Sequence, residues 1–472
     1  MCGGDVCGGG VMQSDYATFL ASKAVRAPER GMQVIPEIGA HLFPFQRHCV
    51  EHTLRVGAGG VFLDTGLGKT LVQLEWCKHA LESSNGRALL LTPLAVARQI
   101  EREGRTWNYP VRVIRDQTEA GEGINICNYD RLEKLDPDAF GAVSLDEASI
   151  LKSYTGKTTR ALIEAFRGHR FKLVATATPA PNDHMELGQY CEFLSVMPSN
   201  EMLMRWFIAD QTEMGRYRLK GHAVNSFWDW MASWARMAQL PSDLGDRDDG
   251  FILPPMNVHR HRARDSRISD ELSDMFGAVA MNATSMHDVK RQTSDARAAV
   301  AASLVAAESG EPWVLWCDTD YEADAITSAV PDAVEIRGSM TIDEKEDRLA
   351  AFVSGQARVI VGKPSMLGYG LNWQHCARMA FVGRSYSYEA FYQAVRRCWR
   401  FGQKRPVDVH LVIAEGEAEI GRVIERKSDD HQKMKAAMRE AMARAAAKGA
   451  RVRVDYNPTH EGRVPRWLKS AA

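Results

Sequence analysis

The stretch Asp64-Thr65-Gly66-Leu67-Gly68-Lys69-Thr70 decides the fold of this chain. It follows the apolar run Gly60 to Leu63 and precedes a helix-like segment, Leu71 to Ala80. A glycine-rich turn between a strand and a helix directs backbone N–H groups at one point, which suits a di- or triphosphate. We expect Lys69 to reach the β- and γ-phosphates and the Thr70 hydroxyl to bind Mg²⁺. The stretch therefore predicts an α/β nucleotide-binding fold, and the alternative is a glycine turn with a solvated lysine.

A second apolar run, Ala142 to Leu145, ends in two adjacent acids. At the carboxyl end of a strand, Asp146 can hold Mg²⁺ through water, and Glu147 can orient an attacking water as a general base. Two acids after a strand also mark the start of many helices, which is the alternative for this pair taken alone. Because the pair occurs together with Lys69, we predict a site of phosphoryl transfer.

Short apolar runs alternate with helix-like segments in two blocks of the chain. In the first block the runs are Gly60 to Leu63, Ala88 to Leu91, Ile124 to Cys127, Ala142 to Leu145 and Lys172 to Ala175. In the second block they are Trp313 to Cys317, Val334 to Ile336, Arg358 to Val361, Ala377 to Val382 and Val407 to Ile413. Apolar strands that alternate with helices predict parallel sheets covered by helices on both faces.

We therefore predict an α/β protein with two tandem parallel-sheet lobes, a helical insertion between them and a helix at the C-terminal end. The predicted boundaries are 1–38 for a partly disordered leader, 39–197 for the first lobe, 198–300 for a Trp-rich insertion and linker, 301–425 for the second lobe, and 426–472 for a basic helix and tail.

Two apolar stripes with helical spacing lie outside the lobes. The first belongs to the insertion and favours core packing over a base-stacking surface; its residues are Phe227, Trp230, Met231 and Trp234. The second belongs to the C-terminal helix and consists of Met434, Met438 and Met442. We expect this helix either to pack on the second lobe through its methionines or to present a basic surface to nucleic acid.

The charge balance excludes some classes of protein and leaves others open. The 472 residues contain 59 Lys and Arg against 60 Asp and Glu, which argues against a histone-like or disordered chain. The charge is unevenly distributed, since residues 426–472 hold 12 basic and 5 acidic residues, leaving 47 and 55 for the rest. The even total therefore does not exclude a nucleic-acid partner.

Several absences in the sequence bear on its environment. No apolar run approaches the roughly 18 residues that a membrane span needs, and the N-terminal residues do not resemble a secretory signal. The 9 cysteines are scattered without a CxxC pair, which predicts reduced, buried thiols. We expect a cytoplasmic protein without a membrane partner.

Further segments lie around the predicted phosphate loop, Asp64 to Thr70, and the acidic pair, Asp146 and Glu147. In the first block they are Phe45-Gln46, Pro93 to Gln99, Ile126 to Asp130, Lys152-Ser153 and Thr176 to Asn182. In the second block they are Gly368 to Trp373 and Gln393 to Gln403. Their order resembles that of the motifs of superfamily 2 helicases, specifically the Swi/Snf-type DNA translocases. Within Gln393 to Gln403 two residues depart from the family pattern, because Arg396 stands where the family usually has Asp and Trp399 where it has His. Ser149, after the acidic pair, stands where the family usually has another His.

The resemblance implies two RecA-like lobes with ATP and Mg²⁺ between them. The residues implied in ATP hydrolysis are Lys69, Asp146, Glu147, Arg397 and Arg400, with Mg²⁺ on Thr70 and Asp146. Those implied in nucleotide binding are Gln46, Thr65, Gly66, Leu67, Gly68, Lys69, Thr70 and Gly370. Those implied in coupling between the lobes are Thr176, Thr178, Asn372 and Gln393. Candidate nucleic-acid contacts are Arg98, Gln99, Asn128, Tyr129 and Lys363.

The predicted activity is that of an ATP-dependent translocase on double-stranded DNA, without strong sequence preference because phosphate contacts carry no sequence information. The alternatives are a strand-separating DNA or RNA helicase and a non-hydrolysing, nucleotide-regulated DNA-binding subunit. The chain is short, and in this it resembles bacterial or phage-borne members of the family.

Overall fold

The structure is a computed structural model that describes residues 26–93, 96–152, 156–180, 184–209, 217–263, 290–367, 372–385, 387–414 and 418–447. The predicted nucleotide contact Gly370, Cys2, Cys7 and most of the predicted leader lie outside these residues, as does the basic tail after residue 447. In the described part of the chain, no helix is both long and apolar enough to cross a membrane.

The first lobe is built on a parallel sheet. Its region of the chain contains β1 (Ala58–Leu63), β2 (Arg87–Thr92), β3 (Val111–Val113), β4 (Gly123–Asn128), β5 (Ala142–Asp146), β6 (Phe171–Ala175), β7 (Phe207–Ala209), β8 (Tyr217–Leu219) and β9 (Ala235–Ala238). Within the described residues, the order of this seven-stranded sheet is β3-β4-β2-β5-β6-β1-β9, and β7 pairs with β8 in a separate antiparallel hairpin.

Helices cover both faces of this sheet. They are α1 (Pro44–Val56), α2 (Lys69–Glu82), α3 (Ala97–Thr106), α4 (Lys157–Ala165), α5 (Leu187–Phe193), α6 (Ser199–Trp206) and α7 (Val224–Trp234). Successive side chains of a strand point to opposite faces, so Val61 and Leu63 of β1 enter one hydrophobic cluster and Phe62 enters the other. The runs of apolar residues in the sequence reflect this burial on both faces.

The Trp-rich insertion is partly helical and partly extended. The stripe on α7 is buried, as its helical spacing predicts, with Trp230 1% and Trp234 0% exposed. The same region also supplies β9, which pairs with β1 at the edge of the first sheet. The description of this region as helical is therefore incomplete. The strand Ala235–Ala238 contains Arg236 and so does not stand out as an apolar run, and its backbone pairs with the free edge of β1.

The second lobe is a separate parallel sheet. Its strands are β10 (Met256–Ala263), β11 (Trp313–Trp316), β12 (Ala333–Glu335), β13 (Val359–Gly362), β14 (Arg378–Phe381) and β15 (Val407–Ala414). Within the described residues, they form a six-stranded sheet in the order β10-β15-β14-β11-β13-β12. Its helices are α8 (Ser294–Ala307), α9 (Asp320–Ala329), α10 (Ile342–Ser354), α11 (Pro364–Leu367) and α12 (Tyr388–Val395). The two tandem α/β lobes predicted from the sequence are confirmed.

The C-terminal helix, α13 (Ala418–Ala447), follows the second lobe in sequence and packs on the first. Met434 and Met438 are 2% and 0% exposed and join the hydrophobic cluster that contains the tryptophans of α7. Arg439 pairs with Asp243 at 2.8 Å. The expectation that the methionines pack on the second lobe is wrong. Helical spacing shows which face is apolar, but it does not show which surface that face will cover.

Candidate nucleotide site between the two lobes

The phosphate loop lies between β1 and α2. Gly66 and Gly68 have φ angles of +94° and +74°, a conformation that glycine adopts without the steric cost of a Cβ. The sharp turn brings Lys69 back over the loop, where its Nζ donates to the carbonyl oxygens of Leu63 at 3.0 Å and Asp64 at 3.4 Å. Burial lowers the pKa of Lys69, while the nearby acids, Glu147 first, favour its charged form.

Gln46 of α1 packs directly on this loop. It is 3% exposed, and its Nε2 donates to the Leu67 carbonyl at 3.0 Å. A Cβ at Gly68 would lie 2.3 Å from Gln46 Nε2, so a larger residue at that position would clash. Gln46 therefore lies beside the predicted phosphate loop.

Asp146 is held by side chains of its own lobe. It ends β5, is 7% exposed, and accepts hydrogen bonds from Gln73 Nε2 at 2.9 Å and Thr92 Oγ1 at 3.0 Å. Gln73 in turn accepts from Ser144 Oγ at 2.8 Å. Because Gln73 lies on the same helix as Lys69, α2 positions both the lysine and the carboxylate.

Glu147 has an uncommon backbone conformation and faces the second lobe. Its φ of +49° is rare for a residue with a side chain and often marks a functional site. Gln393 Nε2 of α12 donates to Glu147 Oε2 at 3.4 Å. Burial raises the pKa of Glu147, although the charges of Lys69 and Arg397 oppose that shift. A carboxylate with a raised pKa is a better proton acceptor near neutral pH.

The two predicted arginines follow α12 and approach the first lobe. Arg397 is 3% exposed and is anchored by Gln393. Its Nε donates to the Gln393 backbone carbonyl at 3.1 Å, and its Nη2 donates to Gln393 Oε1 at 3.0 Å. Burial lowers the pKa of Arg400 to about 10, which nearby Arg396 also favours, whereas Glu103 of α3 opposes the change. The structure thus brings groups of both lobes to one cleft.

A cluster on Asp64 was not predicted from the sequence. Tyr392 donates its hydroxyl to the Asp64 carboxylate, Arg396 Nη2 lies 2.9 Å from Oδ1, and Lys435 Nζ lies 3.4 Å from Oδ2. Arg396 also donates to the carbonyl of Thr65 at 3.0 Å. Although burial opposes it, the charges of Arg396 and Lys435 hold the pKa of Asp64 well below its usual range.

The unusual Arg396 was the only sequence signal for this cluster. An arginine in place of the family's Asp calls for an acidic partner, and Asp64 stands within the phosphate loop itself. Lys435 carried no signal, because its role depends on where α13 packs.

The predicted coupling residues are only partly brought together. Thr176 and Thr178 follow β6 and are both 0% exposed, and Thr178 N donates to Thr176 Oγ1 at 3.2 Å. Gln393 bridges to Glu147 as described above. Asn372 is exposed and follows undescribed residues 368–371, so the structure does not link it to the others.

Two of the five candidate nucleic-acid contacts are buried in the first lobe. Tyr129 is 6% exposed and donates to the backbone carbonyl of Asp146 at 2.6 Å, so here it supports the acidic pair instead of facing outward. The neighbouring Asn128 is also buried, at 8% exposed. The other three are more accessible: Arg98 pairs with Glu101, Gln99 is partly exposed, and Lys363 pairs with Asp320 in the second lobe.

The residues at the cleft fit a nucleoside triphosphate with Mg²⁺. Two glycines form the turn, and a hydroxyl (Thr70) and a carboxylate (Asp146) provide the oxygen ligands that Mg²⁺ prefers. Arg396 Nε and Thr178 Oγ1 are buried without a hydrogen-bond partner among the described residues, so they are available to a polar ligand.

Two sequence comparisons match the chain to known proteins. Residues 297–402 match the family model of the helicase conserved C-terminal domain. Over 417 residues the chain is 21% identical to the SWI/SNF-related matrix-associated actin-dependent regulator of chromatin subfamily A-like protein 1 of Xenopus tropicalis. That match covers 82% of this chain and 44% of the relative, so the chain spans less than half of the relative's length.

Among solved structures, the chain is similar to the Sulfolobus solfataricus SWI2/SNF2 ATPase core in complex with dsDNA, with 17% identity and a TM-score of 0.40. This match covers 88% of this chain and 98% of the other. The family model and the curated relative confirm the resemblance to superfamily 2 helicases of the Swi/Snf type.

Proposed function

Starting from this likeness to Swi/Snf-type helicases, we propose that the protein hydrolyses ATP between its lobes and uses the cycle to move along double-stranded DNA. One observation carries the proposal. The Gln393 amide, which anchors Arg397, reaches Glu147 across the cleft at 3.4 Å, beside Lys69 and Asp146. Such an arrangement makes a complete hydrolytic site depend on the closure of the two lobes.

Each residue has a distinct role in this proposal. Lys69 binds the terminal phosphates, and Thr70 and Asp146 hold Mg²⁺, which neutralises charge on the phosphates when it is bound. Glu147 accepts a proton from the attacking water. Arg397 and Arg400 stabilise the negative charge that develops on the γ-phosphate, and they approach only when the second lobe is in place.

Hydrolysis removes the γ-phosphate, which both lobes bind, so the cleft can then open. A protein that holds the sugar–phosphate backbone with each lobe would advance as the lobes close and open. Contacts of this kind give strong salt dependence and little sequence preference. The name of the Sulfolobus solfataricus structure, a SWI2/SNF2 core in complex with dsDNA, supports duplex DNA as the first partner to test.

The test is the steady-state ATPase rate of the full chain alone and with duplex DNA, single-stranded DNA or RNA. We expect the largest stimulation with duplex DNA, and we expect Lys69→Ala to abolish it. Greater stimulation by single strands or RNA, with strand displacement, would favour a strand-separating helicase. Nucleotide-dependent DNA binding without hydrolysis would favour a regulatory subunit.

A further inference from the structure

Asp64 has more cationic partners than its single charge requires. Its side chain is 12% exposed, and the side chains of Arg396 and Lys435 are 5% and 2% exposed. Lys435 also lies 3.3 Å from the hydroxyl of Tyr392. Lys69 also interacts with Asp64, but its ammonium interacts with Glu147 and Asp146 as well. A buried carboxylate needs one well-placed counter-charge, so either cation can leave without stranding Asp64.

Arg396 and Lys435 belong to different parts of the fold. Arg396 follows α12, which is part of the second lobe. Lys435 lies on α13, whose methionines are buried in the core of the first lobe. Ion pairs at Arg439 and Arg444 fasten the same helix to Asp243 and Asp229 of the first-lobe side. A separation of the lobes would therefore leave Lys435 beside Asp64 and carry Arg396 away from it.

Arg396 and Phe401 of the second lobe lie directly on the phosphate loop. Its guanidinium lies on the phosphate loop, bonded to Asp64 and to the Thr65 carbonyl. Phe401 covers the same loop, because a Cβ at Gly66 would lie 2.8 Å from Phe401 Cβ. A shift of the second lobe would move both groups off the loop and make it accessible to a nucleotide. A guanidinium that leaves Asp64 can then bind phosphate oxygens with its planar set of donors.

We propose that Lys435 is a positioning residue that keeps Asp64 neutralised while Arg396 passes from Asp64 to the nucleotide phosphate. This inference rests on the proposed function for the nucleotide step alone. Its first step, release of Arg396 from Asp64 as the lobes open, takes place without nucleotide. Without Lys435, Asp64 would depend on Arg396 and would hold the lobes closed. Lys435 thus acts through Asp64, and it has no direct contact with the reacting atoms.

The first experiment measures hydrogen exchange of peptides covering residues 64–68 in nucleotide-free protein, since exchange there reports opening of the cleft. We expect Lys435→Met to slow exchange by about fivefold and Asp64→Asn to accelerate it. In the double variant, Lys435→Met should have no further effect, because the carboxylate it compensates is gone. The matched control is Arg439→Met. Arg439 lies one helical turn after Lys435 and also forms an ion pair with the first lobe, so its substitution should leave exchange unchanged.

The second experiment measures DNA-stimulated ATP hydrolysis by the same variants. We expect Lys435→Met to lower kcat by about fivefold with little change in KM, and we expect Asp64→Asn to restore it. Lys435→Arg should retain activity because it keeps the charge. A residue that only braces the fold would not be rescued by removing a carboxylate.

The two experiments separate the two proposals. Faster exchange in Lys435→Met would overturn the inference, because Lys435 would then merely hold the lobes together. Unchanged exchange would overturn it as well. If the exchange pattern follows expectation while the protein hydrolyses no ATP, the proposed function fails and the release of Arg396 by Lys435 stands.

Discussion

The two halves of the candidate nucleotide site are held in different ways. In the first lobe, Asp146 is bonded to Gln73 and Thr92, so its position is set within one sheet and its helices. In the second lobe, Gln393 and Arg396 direct their side chains across the cleft to Glu147 and to the phosphate loop. The first-lobe half holds Asp146 in place without help from the second lobe. The second-lobe half contacts Glu147 and the phosphate loop only when the lobes meet.

This difference indicates how substitutions should act. Changes in the first half should impair phosphate and metal binding whether or not the lobes close. Changes in the second half should leave binding largely intact and impair hydrolysis, because that half contributes only on closure.

The largest effect is expected from Arg397→Ala. An arginine supplied to a phosphoryl-transfer site from a second body is worth about 10³-fold or more in rate. We expect kcat to fall by that order with ATP affinity changed little, as measured by steady-state kinetics and equilibrium nucleotide binding. Arg167→Ala, at an exposed ion pair of the first lobe, is the control and should leave kcat unchanged. An equal loss of binding would contradict the division between the halves.

A smaller effect is expected from Gln73→Leu in the first half. The substitution removes a hydrogen bond to Asp146 and leaves Ser144 Oγ without its acceptor. Loss of a residue that orients a metal ligand typically costs about 10–100-fold in metal affinity or activity. We expect a higher Mg²⁺ concentration for half-maximal ATPase activity. Gln117→Leu, near the surface of the same lobe, is the control. An unchanged Mg²⁺ dependence would show that Thr92 alone positions Asp146.

The contact between α13 and the first lobe is tested by Met438→Ala. The methionine is fully buried, so its truncation should cost about 2–5 kcal/mol of stability. Met204 is 71% exposed, and Met204→Ala should change stability by no more than about 0.5 kcal/mol. Denaturant unfolding measures both. A cost for Met438→Ala as small as that for Met204→Ala would mean that α13 is not docked as the structure shows.

The smallest effect concerns pH and the second lobe. Burial, with help from His259 and His261, lowers the pKa of His410 to about 4, and Asp408 and Glu308 oppose the shift. An unfolded histidine titrates near about 6.5, so between these values the unfolded state binds more protons. Stability therefore rises with pH in this window. Acidification from pH 7 to 5 should cost about 1–2 kcal/mol through this residue.

The measurement is the denaturation midpoint at both pH values for the wild type and for His410→Gln, which should be less sensitive to acid. His48 provides the counterpart in the first lobe, because burial and the nearby Arg236 lower its pKa to about 4 as well. His48→Gln should reduce the remaining sensitivity. If His410→Gln unfolds with the same pH dependence as the wild type, the histidine is already protonated in the folded state.

The parts of the site that could be predicted are those with short-range causes. The phosphate loop and the acidic pair each lie at the end of an apolar strand, and the carboxyl ends of parallel strands share one edge of a sheet. Spacing alone is therefore enough to predict that Lys69, Asp146 and Glu147 lie near one another, as they do in the structure. Tyr129 was assigned to nucleic acid by resemblance, and its buried bond to Asp146 could not be read from its sequence position.

Periodicity and local turn chemistry are enough to predict the two α/β lobes, the glycine turn at Gly66 and Gly68, and the apolar faces of α7 and α13 from the amino-acid sequence. The return of α13 to the first lobe, where Lys435 meets Asp64 beside Arg396, is visible only in the folded chain. The physical reason is that burial drives an apolar stripe toward any complementary surface, and the surface available depends on the whole fold.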